Sequence, residues 1–418
     1  MHQPAPNLDR EVPALLVKVG RYPQHHGGVG VLRTLGRRGV TVHAMVEDRF
    51  TPAAVSRYTA RRFVRPTTGL EEPEVLVSAL LAMGRSIGRP SVAVPTDDEA
   101  ALLLAEHADR LGEWFLLPPV PPGLPRRLAD KAELHRLCLE HGVPTPRSLA
   151  PADRDELLAP GREWGYPLVL KNLAAWTRLR APVVRHTTTV HDERELLAAC
   201  PPGTALSVLV QEYIPPEVAE DWITHLYCGV DGRLRIVLTG RKLRSWPPEA
   251  GVTTRAHALP NPCLERQAAE FCRSIGYRGV ADLDWRFDRR DGRYKLVDFN
   301  PRTGAQFRLF ETADGVDVVR ALHLDLTGRP VPADGALRPR GYAVGQLDLP
   351  SAAAWAWQQR RLPPAVLPRW DTERAWLCRD DPAPLLAEVV RFGGAVARWA
   401  PPAGTRAWRR HYRPPPGP

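Results

Sequence analysis

Lysine is scarce in this chain. Of its 57 basic residues only five are lysine, Lys18, Lys131, Lys171, Lys242 and Lys295, so arginine carries nearly all of the positive charge. A compact ammonium reaches a phosphate as a point charge in a way that a planar fork does not reproduce, so in such a composition each lysine asks for a reason. Cysteine is sparse as well. The six thiols are widely spaced with no CxxC pair, which argues against a zinc ribbon or a dithiol redox motif and leaves reduced, buried cysteines. No apolar run approaches the length that spans a bilayer. Residues 1–20 lack a basic region followed by an apolar segment and a small-residue cleavage site, so a cytoplasmic protein with no transmembrane segment is expected. Outside the tail there is no long block of lysine or arginine. The net charge of +10 therefore reflects composition, and no nucleic-acid partner is expected.

What is present suits a globular protein. A length of 418 residues suggests two or three domains, and 44% hydrophobic content is ordinary. The segment 13–19 reads as a buried strand, GRYPQHHGGVG as a glycine-rich turn, VLRTLGRRG as a helix and VTVHAMV as a second strand, a βαβ start that implies a parallel sheet. Gly28-Val29-Gly30 resembles the opening of a dinucleotide fingerprint, but Arg33 occupies the third glycine position. Glu47-Asp48 after the second strand keeps a nucleotide reading open beside that of a tight turn, and with it the rival of a nicotinamide-dependent oxidoreductase. His25 and His26 share the turn without a third ligand spaced for a metal. Further on, SVAVPTDD puts Asp97 and Asp98 at the C-terminal end of a parallel strand, where open α/β sheets bind ligands; the simpler reading makes Asp98 the cap of a helix that begins at Glu99.

The proline-rich run 116–125 marks a linker. After it Asp130 caps a helix that ends at Gly142, and Lys131 sits at the helix N-terminus, where the dipole disfavours a cation and an anion is the expected partner. WGYPLVLK is a strand that finishes on Lys171. The polar stretch 172–188 follows, with Trp176, Arg178 and Arg180 and no glycine. Gln211-Glu212-Tyr213-Ile214 closes another strand, and Glu217, Glu220 and Asp221 lie beyond it. A hairpin turned at Asp231-Gly232 carries Lys242 and Arg244 one strand period apart, hence on one face.

Residues 279–308 read as two strands joined at Asp291-Gly292. Asp284, Arg286 and Asp288 share one face of the first strand, and Asp298 and Asn300 one face of the second. An odd-membered loop about Asp291 puts Asp284 opposite Asp298. Two carboxylates and a carboxamide on one face repel unless a hard cation sits between them, and an all-oxygen set suits Mg²⁺ completed by phosphate. Asn300-Pro301-Arg302 then delivers a guanidinium beside it. The bland alternative is a solvated acidic hairpin.

In order, DKAELHRLCLEHGVPTP, YPLVLK, VQEYI with the acids after it, GRKLRSWPP, and DLDWRFDRRDGRYKLVDFNPR resemble the ATP-grasp superfamily and, within it, the carboxylate-amine ligases similar to D-aspartate ligase. The resemblance spans roughly residues 13–330. It implies an α/β protein with a Rossmann-like pre-ATP-grasp domain over 1–117 and a two-subdomain α+β ATP-grasp domain over 118–332, divided near 205. A Trp-, Arg- and Pro-rich C-terminal extension over 333–418 follows. It also implies ATP with Mg²⁺, or Mn²⁺ in its place, small-molecule carboxylate and amine partners, and an amide formed through an acyl phosphate. Carried over by position, Lys131 and Lys171 hold phosphates, Gln211, Glu212 and the Ile214 backbone face adenine, and Asp221 takes the ribose. Asp284, Asp298 and Asn300 hold the metal, and Lys242, Arg244 and Arg302 neutralise the transferred phosphoryl group. A silent nucleotide-binding protein on the same fold is the alternative.

Three departures from the pattern stand out. Aspartate replaces the usual glutamate at 284 and 298, the phosphate lid lacks glycine, and Asp282 stands where some relatives carry arginine; there it either binds or deprotonates an amine or is simply solvated. Half of the twelve tryptophans lie beyond Pro330 (Trp355, Trp357, Trp370, Trp376, Trp399 and Trp408). The segment RDDPAPLLAEVVRFGGAVARWA reads as an amphipathic helix interrupted at Gly393-Gly394, packing on the ligase body or touching a membrane surface, and the tail after it as frayed. A homo-oligomer is compatible with all of this.

Overall fold

The computed structural model describes residues 6–22, 25–174, 182–184, 187–203, 205–248, 251–332, 335–360, 363 and 371–399. The chain opens with a five-stranded parallel sheet made of β1 (Ala14–Val17), β2 (Val42–Val46), β3 (Thr59–Val64), β4 (Ser91–Pro95) and β5 (Phe115–Leu116), in the order β3-β2-β1-β4-β5. That order reverses between β1 and β4, so their C-terminal ends form the crevice where such sheets bind ligands. The helix α1 (His26–Gly36) starts five residues before the sequence pattern suggests. Its glycines are there for close packing. A Cβ on Gly28 would stand 3.2 Å from Leu16, and one on Gly30 only 2.8 Å from the Phe307 ring. Gly28-Val29-Gly30 thus lies inside the helix, against neighbouring side chains, and not in a strand-to-helix turn that cradles a pyrophosphate. Beyond α2 (Pro73–Ile87), closed by Gly88 at φ +80°, the helix α3 (Asp98–Glu106) follows β4. Asp97, not Asp98, is its N-cap. The Asp97 carboxylate accepts from Ala100 N at 2.8 Å and also from Val19 N and Gly20 N, which releases Asp98 toward the cleft.

The helix α4 (Lys131–Glu140) is capped by Asp130, which accepts from Ala132 N and Glu133 N, both at 3.0 Å. An antiparallel sheet follows, built from β6 (Ser148–Leu149), β7 (Leu168–Asn172), β8 (Thr188–Val190) and β9 (Val208–Glu212) in the order β6-β9-β7-β8. The third sheet has seven strands: β10 (Ala219–Cys228), β11 (Leu234–Trp246), β12 (Val252–Ala258), β13 (Gly279–Asp288), β14 (Arg293–Asn300), β15 (Gly341–Ala343) and β16 (Thr372–Arg374). Their order is β14-β13-β10-β11-β12-β15-β16. Glu220 and Asp221 therefore sit on a strand, not in a loop after β9. The helix α5 (Pro262–Ser274) backs this sheet through Leu264, Ala268 and Phe271, and α6 (Val318–Leu326) is buried on nearly all sides. One hydrophobic core joins the first sheet to the third: Leu16, Val29, Phe307, Phe310, Ile223 and Val319 belong to a single cluster.

The β13–β14 hairpin pairs Asp284 with Asp298 and Asp282 with Asn300. The loop is even-membered, Arg289–Gly292 between paired Asp288 and Arg293, with Gly292 at φ +70°. A bulge at Val297 adds the extra residue that restores the expected pairing.

The described residues after 332 are woven into the body. Strand β15 pairs with β12, β16 lies parallel to β15, and α7 (Gly345–Gln359) packs on β11 and β12 and lines the cleft through Leu347, Ser351 and Trp355. Arg33 of α1 binds Asp381 at 2.9 Å and the carbonyl of Ala375 at 3.0 Å. The helix α8 (Ala383–Trp399) runs unbroken through Gly393-Gly394. A helix propagates through two glycines when packing on its earlier turns nucleates it. Arg391 anchors it to Asp48 and to Phe50 O. Its outer face exposes Leu386, Val389 and Val390. No helix among the described residues is long and apolar enough to cross a membrane. Trp370, Trp408 and the tail from 400 onward lie outside the described residues.

Candidate active site

A cleft of about 1010 Å³ opens where the crevice of the first sheet, the end of β7 and the open face of the β10–β14 strands meet. Its floor is the hairpin. Asp284 and Asp298 stand side by side because their strands pair there, and each has a lysine against it. Lys131, at the start of α4, binds Asp298. Lys242 of β11 reaches across β10, with Nζ 2.6 Å from Asp284 Oδ1. Lys171, the penultimate residue of β7, donates to Val297 O at 3.3 Å. Three of the five lysines thus converge on one hairpin. The other two are clamps within the fold: Lys18 pairs with Glu47, and Lys295 with Asp288 at 2.8 Å and Asp291 at 3.0 Å.

Burial and charge act against each other throughout the floor. Burial pushes the Asp284 carboxyl above its ordinary value; Lys242 opposes that rise, and the neighbouring Asp282 and Asp298 add to it. For Asp298 burial also pushes upward, yet Lys131 and Lys171 win and hold it low. Burial brings Lys171 down to about 8, with Lys131 adding to the effect and Asp298 opposing it. Lys242 would fall by burial, but Asp284 raises it above the ordinary range. The site is a dense, partly dry mixture of charges, the condition under which fixed dipoles and ions act strongly on a reacting group.

The donor set fits a hard cation. Asn300 commits its amide nitrogen to Asp282 O at 3.1 Å, which leaves its oxygen as the available ligand. Asp284 Oδ1 is buried without an aligned hydrogen-bond donor, since Lys242 approaches at ion-pair distance off the bond line. Among the described residues no three of histidine, cysteine, aspartate and glutamate group as a metal cage. Mg²⁺ does not ask for one: it is usually held by one or two carboxylates, with phosphates and waters completing the octahedron.

Other expected residues divide. Arg302 lines the cleft, donating from Nε to Asp98 Oδ1 at 3.1 Å and from Nη1 to Asp282 Oδ2 at 3.2 Å. Burial disfavours its charge, but Asp98, Asp282 and Asp298 outweigh burial and raise its pKa. Arg244 also lines the cleft, its guanidinium gripped by both oxygens of Asp348 at 2.8–3.0 Å. Asp221 is at the cleft wall, with Oδ1 accepting from Arg286 at 2.8 Å. Gln211, Glu212 and Ile214 are not among the lining residues. Gln211 donates to Ser148 Oγ at 3.0 Å, Glu212 binds Arg147 at 3.0 Å and Lys295 at 3.4 Å, and the Ile214 carbonyl accepts twice from Arg286. Asp282 is 3% exposed and held between His225 and Arg302, so it is not solvated. Burial raises it, but His225 and Arg302 beside it bring it down to about 2, which makes it a poor base. Trp176, Arg178 and Arg180 lie outside the described residues; the flanks of their segment are tied by Asn172, whose side chain bonds Val183 and Val184.

Sequence reasoning placed Arg286 on the face of Asp284 by its period but gave it no role in the site, and it missed His225 and Asp348, which carry no local signal.

No family model matches the chain. It is 24% identical over 299 residues to D-aspartate ligase of Enterococcus faecium, a span covering 68% of this chain and 70% of that one. It is 24% identical over 258 residues to biotin carboxylase of Allochromatium vinosum, matching 57% of this chain and about half, 54%, of that relative. Among solved structures it superposes on L-amino acid ligase from Bacillus licheniformis with a TM-score of 0.59 at 17% identity, covering 80% of this chain and 79% of that one. N5-carboxyaminoimidazole synthetase from Staphylococcus aureus complexed with ADP gives 0.60 at 11% identity, with 80% and 82% covered.

Proposed function

We propose that this chain, an ATP-grasp protein of the carboxylate-amine ligase kind, uses ATP to join a small-molecule carboxylate to an amine through an acyl phosphate. The observation that carries the reading is the meeting of Lys131, Lys171 and Lys242, drawn from three different elements, over the opposed Asp284 and Asp298. Phosphoryl transfer asks a protein for positioning and charge, and no nucleophilic side chain is required.

In this reading the Lys131 and Lys171 ammoniums hold the phosphates, and Asp284, Asp298 and Asn300 would hold Mg²⁺. Bound there, the ion would supply neutralisation of phosphate charge. Lys242 and Arg302 face the transferred group. The substrate carboxylate oxygen bonds to the γ-phosphorus as the bond to ADP breaks; the amine nitrogen then bonds to the acyl carbon and phosphate leaves. Arg244, locked by Asp348, fixes that wall electrostatically. Asp221, on the cleft wall, takes the ribose; adenine contact with Gln211, Glu212 and the Ile214 backbone would require them to leave their present partners, Arg286 above all, since none of the three lines the cleft.

The test is ADP release screened over pairs of carboxylic acids and amines, amino acids first. Asp298→Ala and Asn300→Ala are expected to abolish it while the circular dichroism spectrum stays that of wild type. Undiminished turnover in either variant rules out the metal assignment.

A further inference from the structure

Arg302 is held from two domains at once. Its Nε donates to Asp98 at the first turn of α3, and its Nη1 to Asp282 of β13 and to Thr303 O at 3.4 Å. Its Nη2 bonds no described residue, so two N–H groups remain for an anion in the cleft. Each anchoring carboxylate is itself braced. Asp98 follows Asp97, whose three backbone hydrogen bonds fix the start of α3 against the end of β1. Asp282 Oδ1 lies 3.1 Å from Nε2 of His225, a wholly buried side chain on β10 whose ring packs on Phe310 at 4.9 Å. The loop after Arg302 closes over this pair: a Cβ on Gly304 would stand 2.3 Å from His225 Cε1 and 2.4 Å from Asp282 Oδ2, so only glycine fits. A guanidinium pinned at two nitrogens has lost its rotamer freedom before any ligand arrives, and its remaining donors point one way.

We propose that Asp98 and Asp282 are positioning residues that set the guanidinium of Arg302 for the transferring phosphoryl group, with His225 bracing Asp282. The active site is then incomplete without the first domain, which supplies Asp98. This inference rests on the ligase reading, and a bare interdomain latch is the competing role for the same ion pairs. A latch holds the domains together whatever the arginine does; a positioning pair acts only through it.

The experiment is calorimetric and needs no knowledge of the acid or the amine. Binding of Mg·ADP to the full chain is compared with binding of Mg·ADP plus aluminium fluoride, a mimic of the phosphoryl group in flight. Wild type is expected to bind the second more tightly. Asp98→Asn and Asp282→Asn should each lose about tenfold or more of that enhancement, the scale of one well-placed charged donor, and leave Mg·ADP affinity within about threefold. In an Arg302→Lys background neither substitution should cost much more, because the carboxylates act through the guanidinium. His225→Gln, which keeps a polar group against Asp282, should retain more of the enhancement than His225→Leu. Enhancement that survives either aspartate substitution, or losses that add fully to that of Arg302→Lys, overturns the proposal. So does a wild type in which aluminium fluoride tightens nothing. A wild type that does not bind Mg·ADP at all overturns the ligase reading, and this one with it.

Discussion

Glu311 offers the sharpest quantitative test of how the cleft is held in shape. The residue is 6% exposed and accepts from Arg320 Nη1 at 2.6 Å and Arg340 Nη1 at 3.2 Å. Arg340 in turn donates to the carbonyls of Arg308 and Leu309, at the end of the segment that runs from Asn300 past Ala305 and Gln306 along the cleft. Burial alone would raise the Glu311 carboxyl; Arg308, Arg320 and Arg340 outweigh it and bring the pKa from an ordinary 4.5 to about 2. Such a drop corresponds to about 3 kcal/mol of stability at 1.36 kcal/mol per decade. Because the folded value lies below the unfolded one, this stability is fully present above about pH 4.5 and is lost as pH falls toward 2. Glu311→Gln removes the charge at every pH. Urea unfolding of wild type and variant from pH 7 downward should show a gap of about 3 kcal/mol at pH 7 that narrows steadily below 4.5. A gap under about 1 kcal/mol at pH 7, the size of an exposed pair, or one that widens with acid, refutes the reasoning.

Asp348→Ala removes the carboxylate that grips the buried Arg244 and should cost about 3–5 kcal/mol in the same assay, whereas Arg244→Met with Asp348→Leu should recover most of that loss. Lys171, brought down to about 8 by burial, should be drawn back up by a bound triphosphate. Nucleotide affinity measured by calorimetry should then hold steady below pH 8 and fall above it, and Lys171→Arg should flatten that decline.

Much of this arrangement was legible because it is local. The alternation in DLDWRFD and KLVDFNPR puts Asp284, Asp298 and Asn300 on one face, and the rarity of lysine drew attention to all five, of which 131, 171 and 242 meet at the hairpin while 18 and 295 are clamps within the fold. The opposition of the two aspartates was legible too, although its cause was not: the loop is even-membered, and the bulge at Val297, which no turn residue announces, restores the register. What escaped reading is long-range. Asp348 meets Arg244 only because a segment a hundred residues later folds back along β12, and His225 meets Asp282 only because β10 inserts between β11 and β13. Gly28 and Gly30 are a case of the same kind. Read locally they make an incomplete match to a phosphate turn, and their use is contact with Leu16 and Phe307. The tryptophan-rich C-terminal composition likewise gives no hint that β15 and β16 extend the central sheet.

The two aspartates where glutamate is usual make sense beside their lysines. Asp284 and Asp298 are direct cross-strand neighbours, and each is matched by one ammonium, Lys242 and Lys131. A buried carboxylate without a partner is costly, so these pairs let the nucleotide-free site exist at all. They also determine what a ligand must do. A polyphosphate that draws Lys131 and Lys242 away would strand both carboxylates unless it brings a cation for them, and a cation that takes the carboxylates would strand both lysines unless it brings an anion. Neither half of a metal–polyphosphate complex suits the site alone, while the whole complex exchanges every partner without leaving a charge unpaired. The short aspartate arm keeps each carboxylate close to the sheet, within reach of a lysine from a neighbouring element, and a glutamate there would project further into the space those ammoniums cross. Under the proposed ligase reading, the aspartates are therefore a coherent feature of a site that would recognise metal and polyphosphate together.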